Sequence, residues 1–243
     1  MAFSRTQVDR LGERLRRGDV SDDDLRQLDQ YRRSFAEPYA KLVTVLRDEL
    51  GLAPTGRPAK STKSIIDKLN RETARLSQVQ DVAGCRVVTG DVLEQDRVVE
   101  AVRLRFGAVT VVDRRERPSN GYRAVHVVVT LDHRRVEIQV RTALQHLWAE
   151  LSEKLSDKFG IAVKYGGGDD FPRAYLDMMS GFVAVMDKAD RVLAQLAFAP
   201  EATASGQELS DSVARLRAER QLQLEEIRAM FQRHIAQFTT PGV

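Results

Sequence analysis

The middle of the chain alternates between two hydrophobic periods. Apolar residues recur every three or four positions over 64–76 and 92–106, which predicts amphipathic helices, whereas short apolar runs at 84–89 and 108–113 predict strands. Helices that alternate with short apolar strands are typical of a sheet covered by helices. The pattern therefore predicts an α/β domain with a mixed β-sheet as its floor.

Helical patterns also flank this domain on both sides. Apolar positions at helical spacing after Ser21 predict a long N-terminal helix, bent near Pro38, and the glycines and prolines of 51–58 predict a loop. Beyond the domain, 171–197 and 209–238 have the pattern of long amphipathic helices. We therefore predict an N-terminal helical extension at 1–56, the α/β domain at 57–168 and a C-terminal helical region at 169–243.

Two further strands in the α/β domain form a predicted hairpin with two unlike faces. Setting Val127 opposite Ile138 places the other valines of both strands on the same face. A slip of one residue would bury Glu137 and Arg141 among valines, at a cost of several kcal/mol. The register therefore brings polar side chains together on the opposite face, namely Tyr122, His126, Glu137, Gln139 and Arg141.

This polar face has two possible explanations. An aromatic ring, an imidazole, a carboxylate, an amide and a guanidinium on a rigid strand pair suit a ligand with a polyphosphate and a base. The same residues could instead form the solvated outer face of an edge hairpin. The pattern alone favours neither explanation.

Basic and acidic residues outside the hairpin add two candidate features. Lys60, Ser64, Lys68 and Arg71 lie before and along the first predicted helix of the domain, where they could bind one anion together or form an ordinary solvated face. Asp81 directly precedes the strand that contains Arg86, and carboxylates at strand ends are common Mg²⁺ ligands.

If that strand neighbours the hairpin, Asp81 and Glu137 would form a magnesium site with two carboxylate ligands. Aspartates are also common in turns, so Asp81 alone is weak support for a metal site.

Composition limits the class of protein. The chain of 243 residues is 42% hydrophobic and 30% charged, with a formal net charge of +3, which is typical of a globular protein rather than a polycationic nucleic-acid coat. A single cysteine, no signal-peptide pattern and no long apolar run lead us to expect a cytoplasmic protein that does not enter a membrane.

Four motifs, in order, resemble the synthetase domain of the RelA/SpoT family, the alarmone (ppGpp) synthetases. They are KSTKSIIDKLNR, DVAGCRV, NGYRAVH and EIQVRTALQHLWAE. The resemblance covers roughly 57–160, and the chain length with flanking helices is similar to that of small stand-alone synthetases. It implies a nucleotidyltransferase-like fold and a GTP/GDP pyrophosphokinase, which transfers pyrophosphate from ATP to the 3′-hydroxyl of GDP or GTP in the stringent response.

The resemblance also implies roles for the candidate residues. Asp81 and Glu137 match the acidic magnesium positions, and the resemblance implies that Glu137 is also the base that accepts the 3′-hydroxyl proton. Tyr122 matches a guanine-stacking tyrosine, and His126 a histidine expected at the acceptor phosphates. The remaining expected nucleotide-binding residues are Lys60, Ser64, Lys68, Arg71, Arg86, Gln139 and Arg141.

Two other functions remain open from the sequence. Some small members of the family pyrophosphorylate the 3′ end of tRNA as toxins, and an arginine-rich patch could bind tRNA in that case; the arginines are Arg114, Arg115, Arg117, Arg134 and Arg135. A catalytically silent nucleotide-binding module is the other alternative. By resemblance we also expect a homo-oligomer formed through the terminal helices.

Overall fold

The computed structural model describes residues 3–18, 20–197 and 204–239. Its α-helices are α1 (Arg5–Arg17), α2 (Asp22–Arg33), α3 (Ala36–Thr44), α4 (Thr62–Arg71), α5 (Val92–Phe106), α6 (Ala143–Phe159), α7 (Asp170–Ala197) and α8 (Ala204–Thr239). Its strands are β1 (Thr55–Arg57), β2 (Ala83–Thr89), β3 (Thr110–Asp113), β4 (Val125–Leu131) and β5 (Arg134–Thr142). The predicted α/β class with flanking helices is confirmed.

The five strands form one sheet in the order β1-β2-β5-β4-β3. β1 pairs antiparallel with β2, with Gly56 opposite Cys85. β4 and β5 are joined through Asp132 and His133, whose positive φ angles of 48° and 62° suit the central positions of a two-residue hairpin turn. β5 therefore lies in the middle of the sheet, and the edge-strand explanation of its polar residues is wrong.

The alternating apolar residues of the hairpin are buried as predicted. The valines and isoleucine of this face are at most 1% exposed; they are Val125, Val127, Val129, Val136, Ile138 and Val140. The opposite face is not fully solvated either, because Glu137 is 8% and Arg141 6% exposed. Both faces of β5 are thus covered, and its charged residues need partners within the protein.

The chain divides into two compact units. The first unit comprises the chain up to Val87 together with Glu100–Val112 and His126–Gln139. The second comprises Val88–Val99, Asp113–Val125 and the chain from Val140 onward. The division predicted from the sequence, at residues 56 and 168, stays a prediction, and parts of its terminal regions (1–2, 19, 198–203 and 240–243) lie outside the described residues.

Three local predictions for the first unit need correction. The long helix expected after Ser21 is divided into α2 and α3, and the chain breaks at Ser34 and Phe35 rather than at Pro38, which lies in the first turn of α3, where proline is tolerated. β1 lies inside the predicted loop 51–58. α4 ends at Arg71 instead of continuing to residue 76, because Glu72 adopts extended φ and ψ angles.

The second unit is organised around a core shared by α6, α7 and α8. Trp148 and Leu151 of α6 pack in one buried cluster with Met179 and Val183 of α7 and Phe231 of α8. The indole Nε1 of Trp148 donates to the carbonyl of Leu176 at 2.9 Å. Among the described residues, no helix combines the length and the apolar composition needed to cross a bilayer.

A buried polar contact also joins α6 to α7. Gln145, in the first turn of α6, donates through Nε2 to the Asp187 carboxylate at 2.8 Å. Burial and the negative charge of Asp190 raise the pKa of Asp187 to about 6, although the Gln145 hydrogen bond and the charges of Arg123 and Arg115 oppose the rise. Ionised Asp187 is therefore destabilising in the folded chain at neutral pH.

Two helical glycines are expected to respond in opposite ways to the same substitution. A Cβ on Gly12 of α1 would lie 2.7 Å from the Leu76 Cβ, whereas a Cβ on Gly181 of α7 would have no atom within 4 Å. Chemical denaturation should show that Gly181→Ala raises the free energy of unfolding by up to about 1 kcal/mol, through helix propensity. Gly12→Ala should lower it by about 1–2 kcal/mol, through overpacking. Stabilisation by both changes would contradict the close packing at Gly12.

Asp187→Asn should make the protein more stable at high pH. Because the folded pKa of Asp187 is raised, its cost is fully present above pH 6 and disappears as the pH falls through 6 towards 4. The variant should gain about 1–2 kcal/mol in free energy of unfolding at pH 8 and nothing at pH 4. Asp177→Asn, at an exposed position of the same helix, is the control. A gain that is equal at both pH values would contradict this explanation.

Candidate active site

The first unit places the Asp81 carboxylate between two lysines. Lys60 Nζ lies 2.7 Å from Asp81 Oδ2, and Lys68 Nζ lies 2.8 Å from Asp81 Oδ1. The three side chains are each 20–22% exposed. Two residues from the predicted basic segment and the aspartate before β2 are therefore brought together, although they are up to 21 positions apart.

The local backbone explains how the lysines reach Asp81. Lys60 donates its amide to the Val82 carbonyl at 2.6 Å, which holds the segment before α4 beside the start of β2. Ser61 caps α4 by accepting the Ser64 amide at 3.2 Å, and Lys68 then follows two turns into the helix. The serine at the helix start that caps α4 is thus Ser61 rather than Ser64.

Asp81 is a strongly stabilised anion. Burial alone would raise its pKa, but the charges and hydrogen bonds of Lys60 and Lys68 lower the pKa to about 2. The carboxylate is therefore ionised at neutral pH, and the three side chains together carry one net positive charge.

His126 and Gln139 contact the two carboxylate oxygens of Glu137, which lies on β5. His126 Nδ1 of β4 lies 2.9 Å from Glu137 Oε1, and Gln139 Nε2 donates to Glu137 Oε2 at 2.8 Å. The predicted sharing of one face by these three residues is therefore confirmed. The expectation that His126 contacts acceptor phosphates stays a prediction, because in this structure its Nδ1 is directed to Glu137.

The negative charges of Glu137 and Asp81 repel each other. Burial and the Asp81 charge raise the pKa of Glu137, but the hydrogen bond and charge of His126 and the hydrogen bond of Gln139 lower it below its usual value. Two ionised carboxylates that repel each other in a largely buried environment favour a cationic ligand.

A glycine allows β2 to approach β5 closely at Glu137. A Cβ on Gly84 of β2 would lie 2.9 Å from the Glu137 carbonyl oxygen and 3.5 Å from its Cβ. Arg86, two residues further along β2, lies on the same face by strand alternation and is partly exposed. The structure thus places Arg86 on the side of the sheet that carries Glu137.

Ser64 and Arg71 also lie on α4, where each has a local contact. The hydroxyls of Ser64 and Ser61 are hydrogen-bonded at 2.7 Å, and Arg71 Nη2 pairs with Glu72 at 3.3 Å near the end of the helix. Both residues are on the helix that carries Lys68, and their binding roles stay predictions.

The second unit contains Tyr122 and Arg141 as a stacked pair. The Arg141 guanidinium carbon lies 5.0 Å from the centre of the Tyr122 ring, and its Nη2 donates to the Tyr122 hydroxyl at 2.8 Å. The pair combines an aromatic surface with a positive charge, which suits a base and a phosphate.

Contacts that the sequence did not predict hold the Tyr122 loop. Gly121 has a φ of +82°, and a Cβ there would lie 2.8 Å from the Trp148 ring, so the loop requires glycine. Ser180 of α7 donates its hydroxyl to the Gly121 carbonyl at 2.8 Å. These long-range contacts leave no periodic signal in the sequence, since each depends on one residue of a distant helix.

The donor chemistry of the first unit fits a magnesium ion. Asp81 and Glu137 provide carboxylate oxygens, which a hard cation prefers. Among the described residues no cluster of three or more His, Cys, Asp or Glu side chains could hold a metal. A site with two carboxylates is typical of Mg²⁺ that takes its other ligands from phosphates and water.

Comparisons with known proteins identify a matching family region and similar proteins. The profile of the region found in RelA and SpoT proteins matches residues 56–160. An uncharacterized protein of Mycobacterium tuberculosis is 42% identical over 111 residues, which cover 44% of this chain and 41% of the relative. The GTP pyrophosphokinase YjbM of Bacillus subtilis is 32% identical over 120 residues, which cover 43% of this chain and 56% of the relative. The chain thus aligns with between 41% and 56% of the length of these curated relatives.

A solved structure extends the similarity beyond the matched region. The small alarmone synthetase 1 from Bacillus subtilis, bound to its product pppGpp, superposes with a TM-score of 0.54 at 26% identity. The superposition covers 73% of this chain and the whole of that one. These comparisons show that residues 56–160 of this chain match the region found in RelA and SpoT proteins and that its fold is similar to that of a small alarmone synthetase.

Proposed function

We propose that the protein is a (p)ppGpp synthetase that transfers pyrophosphate from ATP to the 3′-hydroxyl of GDP or GTP. The observation that carries this proposal is the pair of ionised carboxylates, Asp81 and Glu137, with Lys60 and Lys68 directly at Asp81. Such a group can bind a metal-bound triphosphate and accept a proton, which are the requirements of this reaction.

The reaction has a simple atom balance. The acceptor 3′-oxygen attacks the β-phosphorus of ATP, a new phosphorus–oxygen bond forms, and the bond from the β-phosphorus to the α–β bridging oxygen breaks. AMP leaves with that oxygen, and the 3′-hydroxyl proton goes to Glu137. The protein's contribution is mainly positioning and charge stabilisation.

In this proposal the donor nucleotide is bound by the basic residues of the first unit. Lys60 and Lys68 exchange their contacts with Asp81 for contacts with the ATP phosphates, and Arg71 extends the same helix surface. Arg86 packs against adenine, and Ser64 lies at the phosphate end of α4. Magnesium, when bound by Asp81 and Glu137, supplies charge neutralisation at the phosphates.

Glu137 acts as the general base. His126 and Gln139 each hold one of its oxygens, so the carboxylate is fixed in orientation and kept ionised. A base that is already deprotonated and immobilised is ready to accept the acceptor proton without reorganisation.

Tyr122 and Arg141 are proposed to bind the acceptor. The exposed part of the Tyr122 ring can stack on guanine, and the adjacent guanidinium can contact a phosphate. The solved relative bound to pppGpp, a guanine nucleotide, supports a guanine acceptor.

The arrangement of the arginines favours a free nucleotide over tRNA. Three of the five arginines that could form a tRNA patch are engaged within the protein. Arg115 pairs with Asp96 and Asp113, Arg134 lies over the rings of Tyr31 and Phe35, and Arg135 donates to the Ser77 carbonyl. Few cations of this set remain for a phosphate backbone.

Two further properties belong to the same proposal. We place the enzyme in the cytoplasm, where its nucleotide substrates are found. We also propose a homo-oligomer through the terminal helices, because α7 exposes large apolar side chains at helical spacing, including Phe171, Met178, Phe182 and Val185.

Label transfer from ATP tests the proposed function. The purified protein with γ-³²P-ATP and Mg²⁺ should move label to GDP or GTP and leave deacylated tRNA unlabelled. Glu137→Gln should lower kcat by at least about 100-fold, because the base is lost while its shape is kept. Glu100→Gln, at an exposed position of α5, is the control and should retain full activity.

The other outcomes decide between the alternatives. Label on tRNA alone would make the protein a tRNA pyrophosphokinase. No label on any acceptor would favour the silent nucleotide-binding module. Full activity of Glu137→Gln would reject Glu137 as the base.

A further inference from the structure

Arg32 of α2 contacts the residues on both sides of Ser61, the cap of α4. Its Nε donates to the Lys60 carbonyl at 2.7 Å, and its Nη1 donates to the Thr62 hydroxyl at 3.3 Å. The Lys60 amide is bonded to the Val82 carbonyl at 2.6 Å. The backbone of Lys60 is therefore held through both its amide and its carbonyl.

Arg16 of α1 holds the other end of α4. Its Nε donates to the Leu69 carbonyl at 2.9 Å, and its Nη2 donates to the Ala74 carbonyl at 2.6 Å. The last carbonyls of a helix have no partner within the helix, and a guanidinium there satisfies them and interacts favourably with the helix dipole.

The segment that Arg32 and Arg16 hold at its two ends contains both lysines that contact Asp81. A lysine side chain is long and flexible, so the position of its ammonium group depends strongly on where the backbone is held. Holding both ends of α4 in place favours the arrangement in which the ammonium groups of Lys60 and Lys68 both lie at Asp81.

We propose that Arg32 and Arg16 are positioning residues for the donor-binding lysines. The N-terminal helices, which lie outside the RelA/SpoT match at 56–160, then belong functionally to the ATP site. Neither arginine contacts a nucleotide in this proposal; each acts through the backbone of α4. The expected change in ATP binding rests on the proposed function, whereas the expected change in amide hydrogen exchange does not.

The matched pair Arg32→Gln and Arg33→Gln tests the proposal. Arg33 is the next residue of α2, is 80% exposed and pairs only locally with Asp29 at 2.8 Å in the described contacts. Arg32→Gln should weaken binding of a non-hydrolysable ATP analogue, and raise the KM for ATP, by about tenfold or more, because small displacements of binding groups are costly. The KM for the guanine nucleotide should not change, and Arg33→Gln should behave as wild type.

A double-variant cycle separates positioning from general stability. If Arg32 acts through Lys60, Arg32→Gln should have little further effect on ATP binding in a Lys60→Met background. Arg32→Lys should recover part of the loss, because it keeps one charged donor for the Lys60 carbonyl.

Arg16→Gln, with Arg17→Gln as its control, should also weaken ATP binding. If Arg32→Gln and Arg16→Gln raise the KM for ATP and the KM for the guanine nucleotide by the same factor, the role of these arginines is structural. That result would overturn the proposal.

Hydrogen exchange provides a readout without nucleotide. The Lys60 amide should exchange at least about tenfold faster in Arg32→Gln than in wild type or Arg33→Gln, because its neighbouring carbonyl is released. Wild-type protein that fails to bind the ATP analogue would reject the proposed function, while faster exchange would still support the role of Arg32. Unchanged exchange at Lys60 would overturn the proposal whatever the activity.

Discussion

The rest of the site depends on one constraint, the alternation of side chains along β5 in the middle of the sheet. Because Val136, Ile138 and Val140 are committed to the core, Glu137 and Gln139 must lie on the opposite face. β4 obeys the same rule and brings His126 to Glu137. A carboxylate at this position cannot turn away from its partners without exposing the apolar side of the strand, so core packing itself fixes the proposed base.

The charges around this strand are better explained by a ligand than by stability. Buried ion pairs contribute little net stability, because the cost of desolvation offsets most of the attraction. Asp81 nevertheless lies between Lys60 and Lys68, and its charge acts unfavourably on Glu137. An arrangement with two ionised carboxylates and adjacent ammonium groups is well prepared for a metal ion and phosphates, which would satisfy both sets of charges together.

The sequence predicted the features that repeat and missed those that depend on single long-range contacts. The α/β class, α5 and the buried face of the hairpin follow from hydrophobic period, so they could be predicted. The end of α4 and the strand β1 could not, because both are decided by tertiary contacts that override the local pattern. The hydrogen bonds of Arg16 and Arg32 were equally invisible, since a backbone carbonyl can accept from any arginine that the fold brings near it.

In the proposed function, Asp81 and Glu137 bind the metal ion that accompanies the donor nucleotide. Calorimetric titration of a non-hydrolysable ATP analogue, with and without Mg²⁺, tests it directly on wild type and Asp81→Asn. Mg²⁺ should tighten binding to wild type by at least about tenfold, or about 1.4 kcal/mol, and should change binding to Asp81→Asn much less. The same dependence on Mg²⁺ in both proteins would contradict it.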